Sequence, residues 1–333
     1  MKLYLSVTKK PRLKKPVLIC AWPGMGEVAF KLGAYLKDKL KMEEFASLEA
    51  PELFPPTGIW IQNNVIQLPK SGQGKFYFYK NKAGASDIVL FISDAQPLLE
   101  HAYEYCKKII ILGKELGVKK VVTFAAMPQT IDHTAIPEVW FAATSKKIAE
   151  EMENLKLGLK LLSSGQVSGL NGLLLGIAKE MGLEGACFLG EIPLFTLQIE
   201  NPKSSLAILK KLAQILKLDI ETSALQEQAK VMEQEIDKLI EFIQNPEAQH
   251  PSWPGPIGEE EIEKIKKSLS LQTKLPKSAI EKVEQLFQEA KQNIAKAMEL
   301  KKELDQWNVY KEYEDRFLDL FKKPKDKEEK QHN

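Results

Sequence analysis

Four short stretches built on apolar runs limit the folds open to this chain more than any other feature: VLICAW (17–22), SDIVLFIS (86–93), KKVVTFAA (119–126) and GACFLGEIP (185–193). None alternates apolar with polar residues. A strand that is apolar on both faces has to be covered on both faces, as in a parallel or mixed sheet inside a layered α/β domain. Helical spacing occupies the chain between them. Residues 27–40 place Val28, Leu32, Tyr35 or Leu36, and Leu40 on one face. Residues 98–117 read as a helix stopped by Gly117, residues 169–182 as one closed by Gly182, and residues 202–218 as one with Pro202 in its first turn. EEFASLE (43–49) reads as a further strand, and residues 137–156 end as a helix. GIWIQNNVIQLP (58–69) and GKFYFYKN (74–81) read as two strands joined by KSGQG, while Asn63-Asn64 offers a tight turn inside the first. The pattern predicts a three-layer α/β/α sandwich with a mixed, mostly parallel sheet over about residues 1–220.

The last third follows a different rule. Leu225, Ala229, Met232, Ile236, Leu239 and Ile243 repeat in steps of four and three. Ile280, Val283, Phe287, Ala290, Ile294, Ala297 and Leu304 continue that heptad, with Lys301 as its polar position. The proline-rich NPEAQHPSWPGPIG (245–258) separates the two seams as a loop. A short helix, EEEIEKIKKSLS (259–270), and a final one at 309–321 follow. The sequence therefore predicts a helical extension over 221–322 and a charged, frayed tail over 323–333. Burying a large apolar side chain gives roughly 1.5–3 kcal/mol, whereas ordering a residue's backbone costs roughly 1–2 kcal/mol. A hairpin with one apolar stripe must then dock, either on its own domain or on a second chain. In the second case the interface is Leu225, Met232, Ile236, Leu239, Ile243, Ile280, Phe287 and Ile294.

With 333 residues and a net charge of +2, the chain carries no overall field that would draw nucleic acid or an anionic membrane. No apolar run approaches the roughly twenty residues of a membrane span. The N-terminal MKLYLSVTKKPRLKKP has neither the apolar core nor the cleavage site of a secretory signal. The expectation is a cytoplasmic protein. Cys20, Cys106 and Cys187 lie beside apolar runs without metal-type spacing and read as buried hydrophobes.

Polar or glycine-rich stretches follow the strands, where ligand crevices of open α/β sheets form. In AWPGMGEVA, Gly24, Gly26 and Ala29 fit the G-x-G-x-x-G/A spacing of dinucleotide-binding turns, and Glu49 lies at the distance of the ribose-binding acid. Yet Pro23 removes a donor from the turn that should face a phosphate. SDAQP brings Asp94 and Gln96, SSGQVSGLNG brings Ser168 and Asn171, and GEIP brings Glu191. With Gly24, Gly26 and Glu27 they form the candidate pocket; the alternative is that all are turn and capping residues. Ser168 is one place off the G-x-S-x-G position. His101, His133, His250 and His332 are scattered, and only Asp132-His133 suggests a local pair. No catalytic set, metal site or cofactor is expected.

VLICAWPGMGEVAFKLGAYL, IVLFISDAQP, GKELGVKKVVTFAA, GQVSGLNGLLLGIAKEMG and ACFLGEIP together resemble the proteasome assembly chaperone 2 family over about residues 15–220, with the GLNG helix followed by GEIP carrying most of the weight. The resemblance implies a three-layer α/β/α fold similar to nucleoside phosphorylases and peptidyl hydrolases, homo-oligomers and protein partners. Eukaryotic and archaeal relatives bind proteasome α subunits as assembly factors or activators; many prokaryotic ones have no established role. In that family WPGMGEVA is a structural strand-to-helix turn. Archaeal activators end in a hydrophobic–tyrosine–any-residue motif, whereas this sequence ends in Gln331, His332 and Asn333. The first functional expectation is a non-catalytic, homo-oligomeric interaction or assembly-chaperone protein. The alternative is a small-molecule-binding or phosphorylase/hydrolase-type enzyme using the strand-end pocket.

Overall fold

A computed structural model of the chain describes residues 2–55, 58–68, 72–244, 277–293, 296–306, 310, 313, 317–318 and 320–321. The chain divides into two compact units, Met1–Pro254 and Gly255–Asn333. In chain order the first unit contains β1 (Tyr4–Val7), β2 (Val17–Ala21), α1 (Val28–Lys39), β3 (Glu43–Glu49), β4 (Trp60–Gln62), β5 (Val65–Gln67), β6 (Gln73–Tyr79) and β7 (Ile88–Ser93). There follow α2 (Ala102–Glu115), β8 (Lys120–Gln129), β9 (Val139–Ala143), α3 (Lys146–Asn154), β10 (Lys160–Leu161), α4 (Gly169–Glu180), β11 (Glu184–Pro193), α5 (Pro202–Leu216) and α6 (Ser223–Gln244).

Among the described residues, nine strands form one mixed sheet in the order β1-β3-β6-β7-β2-β8-β11-β9-β10. The continuous apolar runs are its parallel centre: β2 lies between β7 and β8, and β11 follows β8 in register from Glu184↔Lys120 to Pro193↔Gln129. Antiparallel pairing begins on either side, at β6 and at β9. β2 shows why its run cannot alternate. Val17, Ile19 and Ala21 join one core with α1 and α5, while Leu18, Cys20 and Trp22 join the opposite core with α2 and α4. Every one of these side chains is buried. Helices α1, α3 and α5 cover one face and α2 and α4 the other, which gives the three layers.

Helix α1 packs tightly on β2 at Gly33, where a Cβ would stand 2.7 Å from that of Ala21. The dinucleotide pattern assigns such a role to its third small residue, Ala29, which is buried in the same core. Asn63 and Asn64 (φ 52° and 63°) form the tight turn of a separate β4–β5 hairpin, as a primed turn with two positive φ angles requires. The three cysteines are buried, and burial pushes the Cys106 and Cys187 thiols up to about 12 and that of Cys20 well above its ordinary value.

Helix α6 packs on α5, and Leu225 belongs to the same core as Leu206, Leu209 and Leu212. Ala229, Ile236 and Leu239 are also buried, and Met232 is half-buried. In the second unit, helices Lys277–Gln292 and Ala297–Gln306 pack together around Val283, Phe287, Ala290, Leu300, Leu304 and Phe317. The side chains of Ile243 and Ile280, and all of Ile294, the 245–258 loop, the 259–270 helix and the 323–333 tail, lie outside the described residues. No helix among the described residues is long and apolar enough to cross a membrane.

The close approach at Gly33 sets a direct expectation. Gly33→Leu should lower stability by about 1–3 kcal/mol through overpacking against Ala21 and Ile92, read as a lower denaturant midpoint. An unchanged midpoint would mean that α1 does not sit this close to the sheet.

Candidate functional site: the carboxyl end of the sheet

Because β7, β2, β8 and β11 are parallel, their carboxyl ends open at one edge of the sheet. The pocket residues that the sequence singles out lie in the connections there, in the first turn of α4 (Asn171) and near the end of β11 (Glu191). Asn171, in the first turn of α4, is buried. Its Oδ1 accepts from the Trp22 N–H at 3.3 Å and its Nδ2 donates to the Trp22 carbonyl at 3.4 Å. A side-chain amide thus continues the ladder where β2 has ended. Gln96 works beside it: Nε2 donates to the Pro23 carbonyl at 2.6 Å, and Oε1 accepts from the Leu170 N–H at 3.4 Å. Two side chains therefore tie the connections after β2 and β7 to the start of α4. Gly169 (φ 72°) leaves room for this, since a Cβ there would stand 3.1 Å from Gln96 Oε1.

The other polar residues are engaged further out. Asp94 accepts from the Gln73 N–H at 3.0 Å and holds the start of β6. Glu191 turns to the neighbouring strand, accepting from Trp140 Nε1 at 2.8 Å and from the Glu138 N–H at 3.1 Å. Ser168 precedes α4, exposed and without a capping bond. The structure thus joins Gln96 and Asn171 through their bonds to one turn, while the bonds of Asp94 and Glu191 serve β6 and β9.

The glycine turn is closed as well. Gly26 (φ 60°) donates its N–H to the Leu197 carbonyl at 2.8 Å and accepts from the Asn201 N–H at 2.7 Å. The Glu27 N–H bonds the Gly24 carbonyl at 2.9 Å, and the Val28 N–H returns to Met25. A phosphate cradle needs free, convergent amides; here those of Trp22, Gly26, Glu27 and Val28 are spent on the chain itself. Trp22 Nε1 alone of this group is buried without a hydrogen-bond partner, its ring 5.4 Å from that of Phe91. His133 pairs through Nε2 with Asp237 of α6 at 2.7 Å, so its contact runs to α6 and not to Ser168. Among the described residues, no group of three or more His, Cys, Asp or Glu side chains gathers as a metal-ligand set.

Glu27 is half-buried and strained at φ 50°. Burial raises its pKa, with Glu200 adding to the effect; a hydrogen bond from Gly24 and the charge of Lys31 oppose it. Lys31 pairs with Glu200.

What this end offers outward is apolar. Met25 follows β2, Leu98 and Leu99 follow β7, Ile136 follows β8 and Leu194 follows β11, all exposed. Ile136 is 87% and Leu99 73% exposed. β3 runs parallel to β7 across β6, so the connection carrying the β4–β5 hairpin leaves from the same edge. That hairpin exposes Ile61, Val65 and Ile66. No motif or spacing in the sequence marks these residues. The available signal was large aliphatic side chains inside proline- and glycine-rich connections, at Pro97-Leu98-Leu99 and Ile136-Pro137.

The model of the PAC2 family matches residues 18–240, and the chain belongs to that family. An uncharacterized protein of Methanocaldococcus jannaschii is 26% identical over 231 residues, covering 69% of this chain and 85% of that protein. Among solved structures, Pyrococcus furiosus PbaB, described as an archaeal proteasome activator, superposes with a TM-score of 0.62 at 26% identity, covering 71% of this chain and 98% of that one. Pyrococcus furiosus PbaA, described as an archaeal homolog of proteasome-assembly chaperone, gives 0.56 at 23% identity, covering 73% and 94%.

Two measurements check the closed turn. Asn171→Ala leaves the buried Trp22 backbone without partners and should cost about 1–3 kcal/mol of stability; a neutral change in chemical denaturation would contradict the ladder extension. For Glu27 the folded-state pKa lies above the ordinary glutamate value, so its ionised form costs stability at neutral pH. That cost fades as pH falls through the raised pKa and is gone below the ordinary value. Glu27→Gln should therefore melt higher than wild type at pH 7 and equally at acid pH. A lower melting point at pH 7 would contradict the burial argument.

Proposed function

We propose that this PAC2-family chain is a non-catalytic protein-interaction factor of the assembly-chaperone kind, acting in the cytoplasm as a homo-oligomer. The apolar rim at the carboxyl end of its sheet holds another polypeptide. One contrast carries this reading: Asp94, Gln96, Asn171 and Glu191 of that end form hydrogen bonds within the chain, while large apolar side chains from four strand connections stand in solvent. Exposed apolar surface gathered in one place is the mark of a protein-binding surface. The description of PbaB as a proteasome activator supports a polypeptide partner of the same class. The alternative, a small-molecule or phosphorylase/hydrolase-type pocket, has to use Asp94, Gln96, Ser168, Asn171 and Glu191; the hydrogen bonds of all but Ser168 already position backbone or neighbouring side chains.

Each large apolar side chain in such a contact contributes roughly 1.5–3 kcal/mol. In gel filtration with light scattering, the chain should elute above its monomer mass of 37.6 kDa and should co-elute with purified archaeal proteasome α subunits. A Leu99→Asp, Ile136→Asp variant should bind them at least about tenfold more weakly with its melting point unchanged. A monomer that ignores α subunits, or a rim variant that binds as wild type does, would contradict the proposal.

A further inference from the structure

The opposite end of the sheet has a different character. There Lys9–Arg12 of the β1–β2 connection, Leu40, Lys41 and Glu43 after α1, and Phe78–Lys80 at the end of β6 enclose an open groove of about 540 Å³. Five cations line it, Lys9, Lys10, Arg12, Lys41 and Lys80, against one carboxylate, Glu43. In a chain with 47 Lys and Arg and 45 Asp and Glu, that is a local concentration.

Two of the cations are already paired. Lys9 meets Glu43 at 3.2 Å, with its ammonium 5.4 Å from the centre of the Phe78 ring, and Lys10 meets Glu115 at 3.2 Å. Arg12, Lys41 and Lys80 are exposed and make no ion pair with a described residue. Both existing contacts are to side-chain carboxylates, the anion that these lysines accommodate in the folded chain.

A second feature precedes the groove in the chain. β1 is the terminal strand of the sheet and pairs only with β3, so its other edge carries unpaired backbone groups among the described residues. Tyr4 and Val7 on it are exposed, and the strand runs directly into Lys9. An unpaired edge is matched by another polypeptide strand and not by a phosphate or a nucleic acid.

We infer that this groove binds an acidic segment of another polypeptide, which extends the sheet at β1 and pairs its carboxylates with Arg12, Lys41 and Lys80. The site is independent of the apolar rim, and failure at one leaves the other standing.

The test uses the full chain and a fluorescent peptide of alternating Glu and Val, followed by anisotropy. The peptide should bind, more weakly as salt rises, and its Gln-for-Glu counterpart should bind at least about tenfold more weakly. At least one of two alternately N-methylated versions should lose about tenfold, since one set of amides must face β1. Arg12→Ala, Lys41→Ala, Lys80→Ala should lose at least about tenfold while melting as wild type does. A control with the same charge change on exposed lysines elsewhere (Lys119→Ala, Lys146→Ala, Lys179→Ala) should keep its affinity. Equal binding of the Gln peptide, equal loss in the control, or binding of polyphosphate or an oligonucleotide without binding of the peptide would overturn the inference. Indifference to both N-methylated versions would overturn the pairing at β1.

Discussion

The two hydrogen bonds between the Asn171 amide and the backbone of Trp22 are the constraint on which the carboxyl end of this sheet depends. A β-strand that stops beneath a connection leaves an N–H and a C=O with no neighbour, and burying them unpaired is costly. Asn171 satisfies both groups from α4. Gln96 then fixes the next carbonyl, that of Pro23, and the second N–H of α4, that of Leu170. Gly26 completes the closure through Leu197 and Asn201. Four connections are thereby held at short range by groups that would otherwise be free for a ligand.

This closure explains why the glycine spacing at 24–29 is a poor guide to function. Spacing reports where backbone freedom is available, and Gly26 does use it, at φ 60°. Spacing does not report where the N–H groups point. The partner of Gly26 is Leu197, far along the chain, and no local pattern announces it. The same limit applies to the heptads. Their period marks Leu225, Ile236, Leu239 and Phe287 as residues to be buried, and they are buried. The period carries no information on what covers them; for Leu225 it is α5, and for Phe287 the second helix of its own unit.

Most of the architecture was nevertheless legible, for a physical reason. Strands buried on both faces have to be apolar at successive positions, so β2, β7, β8 and β11 stand out in the sequence. β1 and β10 do not, because edge strands of four and two residues with exposed side chains need no such pattern. The Asn63-Asn64 pair carried its own turn chemistry and left two readings open, of which the hairpin is realised. Gln96 and Asn171 were legible as polar residues at strand ends, but not as partners of Trp22, Pro23 and Leu170. The apolar rim was the least visible feature, since isolated leucines and isoleucines in connections look ordinary until the fold gathers them.

The two ends of one sheet thus present different chemistry: apolar side chains over a hydrogen-bonded polar layer at one, and at the other cations that make no ion pair with a described residue. The closed layer is the central claim, and residue-resolved amide hydrogen exchange on the free protein tests it most directly. The N–H groups of Trp22 and Gly26 are expected to exchange as slowly as those in the middle of the sheet. Exchange at the rate of solvent-exposed connections, slowed only when nucleotide or phosphate is added, would show instead that these amides are held ready for a ligand.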